Sequence, residues 1–106
     1  MKYFLSIDQG TTSTRSILFN SDGTVANSHQ IDITQYFPDN NSVEHDPKEI
    51  IDSVNKCIKN VVKDINNNEI VSIGITNQRE TTLAWSKSTG KPFHNAIVWQ
   101  DTRTQN

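Results

Sequence analysis

The stretch YFLSIDQGTTSTRSILFN, residues 3 to 20, constrains the fold more than any other part of the chain. An apolar run ends in Asp8. A tight segment with one glycine and four hydroxyl residues follows, and after Arg15 the chain is apolar again. Two apolar runs this close together can satisfy their backbones by pairing with each other, so 3–8 and 15–20 read as strands of one antiparallel hairpin. The connection carries chemistry. Gly10 allows backbone amides to approach a ligand closely, and concave runs of amides bind anions. The hydroxyls of Thr11, Thr12 and Ser13 add donors for phosphate oxygens, and Arg15 adds a fixed positive charge. Asp8, where the strand stops, could hold Mg²⁺ through waters, which magnesium sheds reluctantly. An ordinary hydroxyl-rich hairpin has the same composition, and on the residues alone that reading stays open. The segment is not a P-loop. Nor is TGKP at 89–92, which lacks the upstream glycine and has Pro92 where Ser or Thr is required.

The remaining elements follow in order. Asp22-Gly23 is a hairpin signal, and a third strand runs from Val25 to about Ile33. QYFPDNNSVEHDP is a loop by its Pro, Asn and Asp content. Asp46-Pro47-Lys48-Glu49 reads as a helix start: the acid caps, proline takes the first position, and the glutamate completes a capping box. Ile50, Ile51, Val54, Cys57, Ile58, Val61, Val62 and Ile65 form one apolar stripe on a helix over about 47–66, which NNN at 66–68 ends. Lys56, Lys59 and Lys63 make its solvated face. EIVSIGIT then fits a buried strand over 70–76, joined to an earlier strand by a parallel crossover. TTLAWSK and FHNAIVW, around the turn STGKP, read as a further β-ribbon. The expected class is therefore α/β: three antiparallel strands, a helix, a parallel strand and a ribbon.

A second polar set, GITNQRETT, begins where the parallel strand ends. Ligands of open α/β sheets sit at the carboxyl ends of strands. Arg79 offers a rigid fork of donors and Glu80 offers acceptors, so the pair could grip vicinal hydroxyls from both sides. A solvated ion pair is the plainer reading. One of the indoles, Trp85 or Trp99, could lie on the carbons of a polyol, although core packing is the default for tryptophan. His29, His45 and His94 show no metal-ligand spacing with Cys57 or with one another.

Composition narrows the class. The chain has 106 residues, ten basic and twelve acidic, for a net charge of −2. That length allows one small domain at most. That balance argues against a general nucleic-acid or anionic-membrane surface. The lone Cys57 fits a reducing compartment. The five-residue apolar run at the start is too short for a signal peptide or a membrane span. The polar QDTRTQN after an apolar run suggests part of a larger protein.

The loop DQGTTSTR resembles the first phosphate loop of the superfamily of sugar kinases, heat-shock proteins and actin. VEHDP, GITNQRETT and STGKPFHNAIVWQDTRT together resemble the FGGY carbohydrate kinases, and among them the glycerol-phosphorylating members. The similarity runs from about residue 3 to the end. GITNQRETT followed by NAIVWQ is its most specific part. The resemblance implies a ribonuclease-H-like, actin-like ATPase fold, of which residues 1–106 would be the N-terminal portion of domain I. The parent would have two domains and roughly five hundred residues. It also implies ATP and Mg²⁺ as cofactors and ATP-dependent phosphorylation of glycerol to sn-glycerol 3-phosphate. Asp8 would be the magnesium-side acid. Gly10, Thr11, Thr12 and Ser13 would meet phosphates, and Arg15 would support the nucleotide. Arg79 and Glu80 would hold glycerol, with Trp99 as a wall. The catalytic base would lie beyond Asn106, so the isolated chain should be inactive. The parent would be a cytoplasmic homo-oligomer without nucleic-acid partners or a membrane span. Two rivals remain: another sugar or polyol kinase of the family, and a non-enzymatic nucleotide-binding module of the actin-like fold.

Overall fold

The structure, a computed structural model, describes residues 1–105. Its elements are β1 (Tyr3–Gln9), β2 (Ser13–Asn20), β3 (Val25–Asp32), β4 (Glu44–His45), α1 (Pro47–Val62), a 3₁₀ turn (Asn67–Glu69), β5 (Ile70–Asn77) and β6 (Ala96–Ile97). The main sheet has the order β3-β2-β1-β5. The first three strands are antiparallel, and β5 returns through α1 to lie parallel to β1. No helix among the described residues is long and apolar enough to cross a membrane.

The expected α/β order holds, with local corrections. Strand β2 starts at Ser13 rather than residue 15, because its ladder to β1 extends to the pair Gln9–Thr14. Only Gly10–Thr12 therefore connect the hairpin. The Asp22-Gly23 turn forms as expected: Gly23 has φ +88°, where a side chain would be strained, and Asn20 and Thr24 close the turn. Asp46 caps α1, its carboxylate accepting from the Lys48 amide at 2.9 Å. The capping box does not form, because Glu49 turns away to accept from the Thr34 amide. The helix ends at Val62, four residues early, and the asparagines open the 3₁₀ turn instead, with the Asn66 amide donating to Glu69.

Helix α1 lies across β2 and β3. Leu5, Leu18 and Val61 form the core, with Tyr3, Ile58, Val62, Ile65 and Ile70 packed around them. Full burial of each such aliphatic contributes about 1.5–3 kcal/mol. Ile51 departs from the expected stripe and is exposed. It shares the Ile58 side of the helix, which nothing among the described residues covers at that level. The expected burial of β5 does not hold: Ile73 is 54% and Ile75 73% exposed, because α1 lies over β2 and β3 instead.

The expected ribbon forms, but loosely and with a second partner. Its regular strand is Ala96–Ile97, which pairs with β4 on one side and, through Ile97, with Thr82 of TTLAWSK on the other. A bridge at Trp85–Pro92 and a bond from the Phe93 amide to the Ala84 carbonyl at 3.0 Å continue that pairing. Polar ties decide the outcome. The Val98 amide donates to the Val43 carbonyl at 3.0 Å. Arg103 donates to Glu44 at 2.8 Å and to Asp101 at 2.7 Å. Ala96 and Val98 are buried against the same segment.

These contacts give two expected outcomes. Buried Thr14 and Ser53 share a 2.7 Å hydrogen bond, and Ser53 spends its proton on the Ile50 carbonyl, so Thr14 is the donor. Ser53→Ala should cost about 1–3 kcal/mol in urea unfolding by stranding the Thr14 hydroxyl. Adding Thr14→Val should recover most of that loss. Hydrogen bonds from Arg103 hold the carboxyls of Asp101 and Glu44 below the ordinary carboxylate range. Their contribution is present above the unfolded values of about 4 and is lost progressively as pH falls from there through the lower folded values. Arg103→Met should therefore destabilise most at pH 7, and by a progressively smaller amount as pH falls below about 4, as read by urea midpoints.

Candidate active site

The site is built where β1 and β5 end side by side. Their parallel register pairs Asp8 with Thr76 and Gln9 with Asn77. The Gln78 amide then donates to the Gln9 carbonyl at 2.8 Å, so the chain leaving β5 turns directly beside the hairpin of β1. A cleft of about 390 Å³ opens there, lined by Thr11, Gln78, Arg79, Glu80 and Trp99. Four of the residues singled out in the sequence thus meet in one place, drawn from three separate segments. Trp99 is tied in directly: its indole Nε1 donates to Thr11 Oγ1 at 2.9 Å. That leaves the Thr11 hydroxyl proton free to be donated. Neither tryptophan follows the core default, since Trp85 is 58% and Trp99 51% exposed.

Asp8 and Arg15 are brought together elsewhere. They are cross-strand partners on the open face of the sheet. With Gly74 and Thr76 they line an adjoining hollow of about 510 Å³. Gly10, Thr12 and Ser13 line neither hollow. The Gly10 amide is not offered to a ligand, because it donates to the Ser13 carbonyl at 2.9 Å. A side chain at Gly10 would place its Cβ 3.1 Å from that same carbonyl. Tightness of the turn, rather than a left-handed backbone, is what calls for glycine there. The amides of Thr11 and Thr12 donate to no backbone carbonyl among the described residues. Ser13 Oγ accepts from Gln30 at 2.9 Å.

Behind the cleft, around the buried His45, lies a part-buried polar network that motif reading passed over. Gln35 Nε2 donates to the Thr11 carbonyl at 2.7 Å, so its Oε1 must face His45 Nε2, 2.7 Å away. That nitrogen therefore carries the proton. Nδ1 is left as an acceptor for Gln78 Nε2 at 3.0 Å. Burial pushes the His45 imidazole below its ordinary range, against the opposing pull of Glu49. Gln78 also reaches Gln9, and Gln9 Nε2 donates to the Gly10 carbonyl at 2.8 Å. No local pattern marks Gln35, His45 or Gln78, which sit among other polar residues, and a metal-spacing test of the histidines does not look for such a set.

Glu80 stands out in its backbone. Its φ is 62°, in the left-handed region, and it is the one described non-glycine residue there. Such strain collects at functional sites and costs on the order of 1–3 kcal/mol.

Residues 3–106 match the N-terminal domain of the FGGY family of carbohydrate kinases. The chain belongs to that family. Curated relatives include a probable glycerol kinase of Dictyostelium discoideum, 55% identical over 97% of this chain and 20% of its own length. A glycerol kinase of Coxiella burnetii is 51% identical over 98% of this chain and 21% of its own. The chain thus spans about a fifth of the curated relatives it matches. Among solved structures, Plasmodium falciparum glycerol kinase with ADP superposes with a TM-score of 0.87 at 38% identity, covering 97% of this chain and 21% of that one. A ligand-bound xylulose kinase from Lactobacillus acidophilus reaches the same TM-score at 25% identity, covering 96% and 20%. The FGGY fold, with its actin-like ATPase architecture, is therefore what this α/β sheet and helix begin to build.

The strained backbone yields a stability test that is independent of substrate. Glu80→Gly and Glu80→Ala both remove the carboxylate, but only glycine relaxes the left-handed conformation. Glu80→Gly should be the more stable of the two by about 1 kcal/mol, as read by thermal unfolding.

Proposed function

We propose that this chain supplies the phosphate loop and half of the polyol contacts of an ATP-dependent kinase that makes sn-glycerol 3-phosphate from glycerol. One observation carries the reading. The hydroxyl of Thr11 and the pair Arg79–Glu80 share one cleft, joined by the 2.9 Å bond from Trp99 to Thr11. Identities of 51% and 55% to glycerol kinases point the same way. Arg79 would donate to glycerol hydroxyls and Glu80 accept from them, with the Trp99 ring along the carbons. The free amides of Thr11 and Thr12, and the hydroxyls of Thr11, Thr12 and Ser13, would meet phosphate oxygens. Gly10 keeps that turn tight, and Arg15 would support the nucleotide end.

ATP and Mg²⁺ belong to this reading. Magnesium is commonly bound through one or two carboxylates, several waters and substrate phosphates. Asp8 fits that use: its carboxylate is exposed and has no ion-pair partner among the described residues. Magnesium would neutralise charge on the transferring phosphoryl group. This chain's residues would position both substrates, which dominates phosphoryl transfer. The general base and the adenosine pocket would come from outside this sequence, so residues 1–106 alone would be inactive. They would form the N-terminal portion of the first of two domains in a parent of roughly five hundred residues, as 106 residues cover 21% of the relatives. A cytoplasmic, homo-oligomeric parent completes the reading and rests on the family alone.

A different sugar or polyol as acceptor is the competing reading. The fold does not separate the two, since the xylulose kinase superposes equally well. A substrate panel on the full-length protein tests the choice. Glycerol should be the preferred acceptor, and preference for a pentulose would replace it. In the same protein, Arg79→Ala should raise the KM for glycerol by roughly 10–100-fold, because a buried hydroxyl contact is lost. Its ATP affinity should change little. Gly10→Val should abolish turnover and leave glycerol binding nearly intact. Unchanged glycerol kinetics in Arg79→Ala would remove that residue from the site.

A further inference from the structure

We propose that His45 is a positioning residue that sets the spacing between the phosphate hairpin and the Arg79–Glu80 turn. The inference rests on the reading of the cleft given above and goes beyond it. His45 is 1% exposed and lies at the middle of a three-residue relay. On one side its Nε2 proton goes to Gln35, which in turn holds the Thr11 carbonyl at 2.7 Å. On the other its Nδ1 accepts from Gln78, the residue directly before Arg79. Gln78 is fixed in orientation as well, since the Thr81 hydroxyl donates to its Oε1 at 2.9 Å. One imidazole therefore ties the two walls of the cleft through a chain of short, oriented bonds.

The two ring nitrogens have different tasks, and this makes the relay divisible. An asparagine side chain can present an acceptor near the Nδ1 position, and a glutamine can present a donor near the Nε2 position. His45→Asn keeps the link to Gln78 and drops the link to Gln35. His45→Gln does the reverse. A residue that only fills space would not distinguish these variants. In-line transfer requires the phosphate and the hydroxyl to be held at a fixed separation. A bond that sets that separation acts on KM for one substrate according to which link is cut.

The test uses the full-length protein. His45→Gln should raise the KM for glycerol about tenfold, the loss of one hydrogen bond, with the KM for ATP within about twofold of the parent. His45→Asn should raise the KM for ATP and leave that for glycerol nearly unchanged. Equal effects of both variants on both substrates would overturn the proposal. A second measurement does not depend on activity. With ¹⁵N-histidine, His45 should report a neutral ring protonated at Nε2. With selective ¹⁵N-threonine and ¹⁵N-arginine labels, His45→Asn should shift the Thr11 amide and His45→Gln the Arg79 amide. An Nδ1-protonated ring, or both amides shifting in both variants, would refute the relay even if the substrate proved not to be glycerol. Absence of glycerol-dependent turnover in the parent, with the selective shifts intact, would instead overturn the assignment of substrate.

Discussion

The parallel pairing of β1 with β5 is the constraint on which the site depends. Strands that run the same way end at the same edge, so the turn after each one emerges beside the other. Here that places the Gly10–Thr12 connection against the 78–81 turn, and the bond from Gln78 to Gln9 closes the junction at 2.8 Å. The crossover through α1 makes this possible at a separation of about seventy residues. An antiparallel β5 would put Arg79 and Glu80 at the far end of the sheet from Thr11, with the same side chains and no common cleft.

Much of this was legible in the sequence where the governing contacts are local. The 3–20 hairpin, the Asp22-Gly23 turn and the Asp46 cap each depend on residues within a few positions, and each forms where its pattern says. Within the apolar run of β1, Leu5 and Ile7 are the buried positions, which the run alone did not single out. What failed was set by distant partners. Glu49 has the spacing for a capping box, but the Thr34 amide lies within its reach and takes its carboxylate. TTLAWSK and FHNAIVW do bridge each other, but the pattern did not show that the second run also docks on β4, beside the ties of Arg103 to Asp101 and Glu44. The roles of Gln35, His45 and Gln78 depend on neighbours ten to thirty-three residues apart, and no spacing rule encodes such a set.

The candidate site divides in the same way. Arg79 and Glu80 were found because a polar pair directly follows a buried-type strand. Resemblance alone singled out Trp99 from two indoles, and its bond to Thr11 spans 88 positions. The hairpin reading needed refinement for a physical reason. Gly10 spends its amide inside the turn, so the anion-facing donors narrow to Thr11 and Thr12. Asp8 and Arg15 alternate onto the open sheet face, as the two-residue period of a strand requires, while Thr11 looks into the cleft.

Stability and geometry are thus supplied by different forces at the two ends of the sheet. On the side covered by α1, aliphatic burial around Leu5, Leu18 and Val61 dominates, and such contacts tolerate small shifts in position. At the site end, β5 has little apolar cover, with Ile75 mostly exposed, so packing cannot fix where its last residues point. Hydrogen bonds take over that task. They are directional, and those behind the cleft are fully satisfied: no buried side-chain nitrogen or oxygen among the described residues lacks a partner. A complete polar network rigidifies what it connects, whereas a half-satisfied one would destabilise it. The strained Glu80 backbone follows from this arrangement, since a left-handed residue on an exposed turn persists only where its neighbours hold it. Gln78, clamped by His45, Gln9 and Thr81, is the neighbour that does so.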